Sequence, residues 1–480
     1  MVDAAAIVKP RTTLVLAVLL LIVGAVIFFW ERHLPGSDAS RAREKLLFAD
    51  LSSETVREIA IRDASTTVVI RRDDMRWRIV EPIDDLADRA AVDKVIRALA
   101  EVPRSTAIPA SEIAGGDEAT GLGSHALRVT IDTDDSESVD FSIGAHELPG
   151  GQRYLRLAAS DDLLIIPAAL PARLEIPVDA WRHQRLSDFS SLDVRRVHVV
   201  SENLPAALTF ERRQGDYWWL SGALEDEVDA RKFGDWLSRM LALEIEDFLP
   251  PDEDIDDAFE SKATWRIVLD LDPRSRPADR EHRVEMRFFR SSRYDHIFRA
   301  VVSDRAGSMR VRAASLLARI EQAPAAWRSM TVLDFTPWDV GEFEIRDRDR
   351  VLTVTRIGDR SSTNLSWLVE ENEHSPAKRD ELSNEKINAF LSRIARTDAL
   401  RIDDGIDEKS AGLAPPARTL ILRFFGDDRP PWTLDLGRSA EDGGTYLRRH
   451  SRPAIFILRS DDADAMTSLL HPAELGPDPG

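Results

Sequence analysis

Val56–Val102 reads VREIAIRDASTTVVIRRDDMRWRIVEPIDDLADRAAVDKVIRALAEV. It decides the fold. Ile59 and Ile61, then Val68 and Ile70, then Trp77 and Ile79 alternate with polar residues, the period of strands that have one packed and one wet face. Asp88 follows, a residue type whose carboxylate accepts from the unpaired N–H groups of a first helical turn. Val92, Val95, Ile96 and Leu99 come next at helical spacing and form one apolar stripe. The stretch therefore predicts three short antiparallel strands and one amphipathic helix.

The same pattern returns twice. In the second copy Val197 and Val199, Leu208 and Phe210, then Trp218 and Leu220 are the strand pairs. Asp229 is the cap, and Phe233, Trp236, Leu237 and Met240 are the stripe. In the third copy the pairs are Phe343 and Ile345, Leu352 and Val354, Trp367 and Val369. Ser383 caps a stripe of Ile387, Phe390, Leu391 and Ile394. Stripe offsets from the cap are identical in all three, and a Trp (Trp77, Trp218, Trp367) sits on the last strand of each. A large aromatic at one repeat position is expected under the helix rather than as a sugar platform.

A β-rich segment follows each helix. Thr120-Gly121-Leu122 matches Ala411-Gly412-Leu413, Gly144 matches Gly437, and Gly150-Gly151 matches Gly443-Gly444. The glycine pairs read as turns, because no helix follows to make a phosphate cradle. Junctions repeat too: Trp181-Arg182 with Asp188-Phe189, and Trp327-Arg328 with Asp334-Phe335, stand at the same spacing. Fixed junctions argue for stacked units rather than beads on linkers.

Ahead of the array, Thr12–Trp30 carries no charge. As a helix it would span roughly 28 Å, close to a bilayer's hydrocarbon core. Phe28, Phe29 and Trp30 are placed as an aromatic belt. The polar Glu31-Arg32-His33-Leu34-Pro35 that follows is not a small-x-small cleavage site, so an uncleaved anchor is expected. The fold class read from these patterns is α+β: an N-terminal transmembrane helix, then three tandem units of antiparallel strands with one packed amphipathic helix plus a further β half-unit. The expected division is a cytoplasmic N-terminus (1–11), a transmembrane helix (12–30), a tether (31–45), repeat units (46–187, 188–333 and 334–471) and a disordered tail (472–480). A short basic N-terminus ahead of a large domain places the bulk of the chain on the periplasmic side of the inner membrane.

Composition narrows the chemistry. A net charge of −20 disfavours nucleic acid as a partner. With no cysteine there is no disulfide, thiolate metal site or cysteine nucleophile. The acidic run Pro250–Asp257 lacks the calcium-loop pattern and reads as a solvated loop. No His-Glu-x-x-His, Walker A or dinucleotide glycine motif occurs, so no metal, cofactor or nucleotide is expected. Two Ser-x-x-Lys matches, at Ser375–Lys378 and Ser383–Lys386, lack the companion segments of a penicillin-binding enzyme. His183 with Asp188, and Asp295 with His296, are neighbours in sequence only. No catalytic residue is assigned.

An N-terminal apolar span followed by strands, Arg-Trp-Arg-Ile-Val-Glu-Pro (Arg76–Pro82), Ala87-Asp88 and an amphipathic helix resembles the bacterial domain-of-unknown-function family 4340 (DUF4340). The resemblance implies a membrane-anchored protein, often encoded beside the permease and auxiliary subunits of gliding-type or exporter ABC systems, with no assigned activity. The expectation is thus a non-catalytic accessory or scaffold subunit whose partners are the inner-membrane bilayer and ABC-transporter permease or auxiliary subunits. The alternatives are an envelope hydrolase, or a surface-polymer binder using Tyr154, Tyr446 and Phe298 at matched positions.

Overall fold

The structure is a computed structural model. It describes residues 44–470, except 74–75, 136, 214–216, 223, 250–258, 275–281, 349, 359–365, 372–382, 427–429 and 442. The expected transmembrane helix (12–30), most of the tether, the acidic loop, the Ser-x-x-Lys match at Ser375–Lys378, and the tail lie outside the described residues. The chain divides into two compact units at Gln184/Arg185.

In the first unit one antiparallel sheet has the strand order Asp85–Leu86, Arg76–Glu81, Thr67–Asp73, Val56–Arg62, Leu127–Thr133, Ser138–Ile143, Arg153–Leu157, Leu163–Ile166. Three strands step outward, then the helix Arg89–Ala100 (α1) carries the chain back. Leu127–Thr133 then pairs directly with the first strand, Ile59 opposite Ile131. Val92, Val95, Ile96 and Leu99 are the buried residues of α1. They share a core with Ile59, Ile70, Trp77, Val129, Ile131 and Trp181.

The second unit repeats this plan twice. One sheet has nine strands, in which Val194–Ser201 is flanked by Leu208–Arg212 and Trp265–Leu271. The strand after its helix Ala230–Leu241 (α2), Ile245–Leu249, returns to the far edge against Ser308–Arg312. A second large sheet has eight strands, with Val340–Asp347 between Arg350–Ile357 and Arg418–Phe424 and the helix Asn384–Ile394 (α3) as its crossover, and a small two-stranded sheet pairs Thr331–Asp334 with Arg396–Asp398. In the core under α2, Phe233 stacks on Phe210 at 4.2 Å and meets Trp218 edge-on at 4.7 Å. Trp327 closes on Phe210, Phe233 and Trp236. Burying one such side chain contributes about 1.5–3 kcal/mol.

These findings correct the expected fold class. The described chain is mostly antiparallel sheet, and among the described residues no helix is long and apolar enough to cross a membrane. The three long helices are 12, 12 and 11 residues. The "further β half-unit" is not a separate element either. In each copy a strand of the later half (Leu127–Thr133, Trp265–Leu271 or Arg418–Phe424) bonds to the free edge of the first strand, so both halves form one continuous sheet. Hydrophobic alternation reports which face a strand buries but not which strand it pairs with.

The third large sheet is covered on both faces. Along Ile455–Arg459, Phe456 and Leu458 join the core under α3, whereas Ile455 and Ile457 join a second cluster with Tyr446, Ala440, Ala411 and Leu413. Successive strand side chains point to opposite faces, so the loop through Ala411 and Leu413 lies across the face away from α3. Gly437 permits this crossing: a Cβ there would stand 2.1 Å from the Ala411 carbonyl oxygen. In the first unit a Cβ on Gly144 would stand 2.1 Å from the Thr120 carbonyl oxygen.

Candidate functional site

The residues singled out in sequence fall into two roles. Asp88, Asp229 and Ser383 each accept a hydrogen bond from the backbone N–H three residues on, at Ala91, Lys232 and Lys386. Trp77, Trp218 and Trp367 are buried, and Trp367 Nε1 donates to Asn388 of α3 at 2.9 Å. Of the aromatics weighed for polymer binding, Phe298 packs edge-on against Trp265 at 5.4 Å and Tyr446 lies in the second cluster. Tyr154 is half-buried.

The chemistry is concentrated elsewhere, at the junctions. Asp88 N–H donates to the Trp181 carbonyl at 2.7 Å, and Asp229 N–H to the Trp327 carbonyl at 2.8 Å. The arginine after each Trp then turns inward. Arg182 Nε donates to Asp85 at 2.7 Å, and Arg328 Nε to Asp226 at 2.7 Å. Both aspartates are completely buried, three residues before a helix cap.

In the second unit this pair grows into a network joining the second copy to the third. Asp226 Oδ1 also accepts from Arg452 Nε at 2.7 Å. Arg452 completes its donor set on the carbonyls of Thr331 (3.0 Å) and Ser329 (2.9 Å). Arg328 reaches on to both carboxylate oxygens of Asp404, at 2.6 and 2.8 Å. Glu227 pairs with Arg449, whose other donors go to the Val332 carbonyl at 3.1 Å and the Ser451 hydroxyl at 2.7 Å. Burial pulls the Arg449 guanidinium down from its ordinary range, with Glu227 opposing. At Arg328 burial acts the same way, but the hydrogen bonds to Asp404 and Asp226 outweigh it and its pKa is raised. Arginine stays charged at any working pH, so these are permanent ion pairs. Arg449 and Arg452 also stack over Trp432 and Phe456, at 4.8 and 4.6 Å.

Beside the network opens a cleft of about 420 Å³ lined by Glu408, Arg448, His450, Ser451, Arg452 and Pro453. Its wall is a cross-strand row on the face away from α3, Thr419 opposite Asp435 and Asp435 opposite Arg448. Asp435 is nearly buried. It accepts from Thr419 Oγ1 at 3.1 Å, from His450 Nε2 at 2.5 Å and from Arg448 at 3.4 Å. Arg448 also pairs with Glu408 on the covering loop. Ser451 Oγ accepts from Arg449, while His450 Nε2 donates to Asp435. These bonds assemble no Ser–His–Asp relay. Among the described residues no group of three His, Asp or Glu side chains could hold a metal ion.

Part of this site was visible in sequence. The repeated Trp-Arg junction and the acid three positions before the cap are both periodic signals. Arg449, Arg452, Asp435 and His450 carry none, because Arg452 and Arg449 find their acids 226 and 222 positions away.

Residues 77–262 match the model of the family described as "Domain of unknown function (DUF4340)". The match covers 186 of the 480 residues. The DUF4340 match starts on Trp77 and takes in Asp85, the junction Trp181-Arg182 and Asp226. No curated protein matches the chain. Among solved structures, a DnaN sliding clamp (DNA polymerase III subunit beta) from Pseudomonas aeruginosa bound to griselimycin aligns over 84% of this chain and 90% of that one. Identity is 7% and the TM-score 0.15, so the likeness is slight.

Proposed function

We propose that the chain is a non-catalytic scaffold: an accessory subunit of an ABC-type export or gliding-like system that works at the outer side of the cytoplasmic membrane. One observation carries the scaffold reading. The second and third copies are tied by buried ion pairs, from Asp226 and Glu227 to Arg328, Arg449 and Arg452. Such pairs add little net stability over apolar packing but hold one geometry, since a shifted partner would leave a buried charge unpaired. A rigid, repeated surface suits holding partners in fixed positions.

The membrane location draws support only from the uncharged run Thr12–Trp30, and the export partner only from the DUF4340 resemblance. The proposed partners are bilayer lipid and permease or auxiliary subunits, with neither nucleic acid nor nucleotide. Purification from the native membrane in mild detergent is expected to recover permease or auxiliary subunits with the chain. Recovery without them, while known complexes survive the same conditions, contradicts the proposal. A reporter fused after Gly480 tests the side of the membrane.

A further inference from the structure

We propose that the cleft beside the junction is a binding site for a small carboxylate-bearing ligand, and that Glu408 occupies the ligand's place in the free protein. This goes beyond the scaffold reading and stands whether or not that reading holds.

The argument begins with the row behind the cleft. Asp435 is fixed by Thr419, Arg448 and His450 together, and its side chain is 6% exposed. It therefore neutralises one guanidinium edge of Arg448 and orients the His450 ring by holding Nε2. That leaves three groups facing the cleft: the Arg448 edge taken by Glu408, the other ring nitrogen of the half-exposed His450, and the Ser451 hydroxyl hydrogen. Arg452 forms the floor and contributes shape only, because its side chain is buried and each of its nitrogens donates to Asp226, Thr331 or Ser329.

Glu408 is held at its backbone but free at its side chain. The loop is fixed by Asp407, which accepts from the N–H and hydroxyl of Ser410, both at 2.8 Å, and by the Glu408 carbonyl, which accepts from Leu413 N–H at 2.7 Å. Ala411 and Leu413 anchor it in the second cluster. The Glu408 carboxylate itself is half-exposed. An ion pair so open to water contributes little, so a rotamer change releases Arg448 without moving the loop. An incoming carboxylate then takes the Arg448 Nη1 donor that Glu408 gives up, with His450 and Ser451 reading the rest of the ligand.

The test is titration of the full chain with succinate, with phosphate and chloride at equal ionic strength as controls. It is followed by calorimetry and by the ring signals of His450. The expected result is saturable succinate binding that shifts His450, is tightened up to about fivefold in Glu408→Gln by removal of the competing carboxylate, and is lost in Arg448→Gln. A response no different from chloride overturns the proposal, and phosphate binding as tightly as succinate overturns the carboxylate assignment. Glu408→Gln keeps the test decisive if Arg448→Gln fails to fold, because unchanged affinity in that variant removes Glu408 as the internal occupant.

Discussion

Arg452 and Asp226 lie 226 positions apart in the chain, yet Nε donates to Oδ1 at 2.7 Å with neither side chain exposed to solvent. Asp226 ends the outer edge of one sheet, and Arg452 follows a strand of the next. The contact fixes how two copies of one packing unit meet, and each of the three Arg452 nitrogens donates a hydrogen bond there.

The equivalent pair in the first unit gives a separate prediction. Asp85→Asn keeps the side-chain shape and removes the charge facing Arg182, whose side chain is 7% exposed. Breaking a buried pair from one side costs about 3–5 kcal/mol. Urea denaturation is expected to show a loss of that size. A change under about 1 kcal/mol would mean that water reaches the pair.

Asp229→Ala removes the acceptor for Lys232 N–H at 2.9 Å and is expected to cost about 1 kcal/mol, within the usual range of about 0.5–2. Ser383→Ala, which removes a longer bond of 3.3 Å to Lys386 N–H, should cost less. Thermal melts of both variants would reveal the order.

Gly437→Ala puts a methyl group 2.1 Å from a backbone carbonyl, a contact that no side-chain rotation relieves. The loop through Ala411 must lift from the sheet. Hydrogen exchange is expected to speed up at Leu413 N–H, which bonds to the Glu408 carbonyl, while α3 keeps its protection. Unaltered exchange there would mean that the loop does not depend on that approach.

Acid should loosen the same loop late. The backbone N–H of Ser410, then its hydroxyl, holds the Asp407 carboxyl below its ordinary value of 3.8. A depressed carboxyl pKa gives a contribution that is complete above the unfolded value and is lost as pH falls through the lower folded one. The turn is therefore expected to persist at pH 4 and to open only well below it. Its midpoint should move upward in Ser410→Ala, as read from the Asp407 carboxyl signal.

The helices and the repeat were legible because both are local. Caps at Asp88, Asp229 and Ser383 and stripes at fixed offsets depend on residues within one or two turns. Strand faces were legible for the same reason, through Ile59, Ile61, Val68 and Ile70. Pairing was not, because nothing in Leu127–Thr133 announces that its partner is Val56–Arg62. The span over 12–30 fell outside what the structure describes. The ion network was half legible: Arg182 and Arg328 follow a conspicuous repeated Trp, and Asp85 and Asp226 stand three positions before a cap, but Arg449 and Arg452 carry no periodic mark. The Asp435 row and its cleft had no periodic mark, since they exist only once strands distant in sequence are in register.

The most direct test of the central claim, that buried charge fixes the second copy against the third, is a double-mutant cycle on Asp226→Asn and Arg452→Met in the full chain, read by urea denaturation. The account predicts that the double variant is more stable than the sum of the single losses implies, by well over 1 kcal/mol, because Asp226→Asn leaves the buried Arg452 charge without its carboxylate and Arg452→Met removes that charge. Losses that add to within about 0.5 kcal/mol would show that the two residues do not depend on each other, and would contradict it.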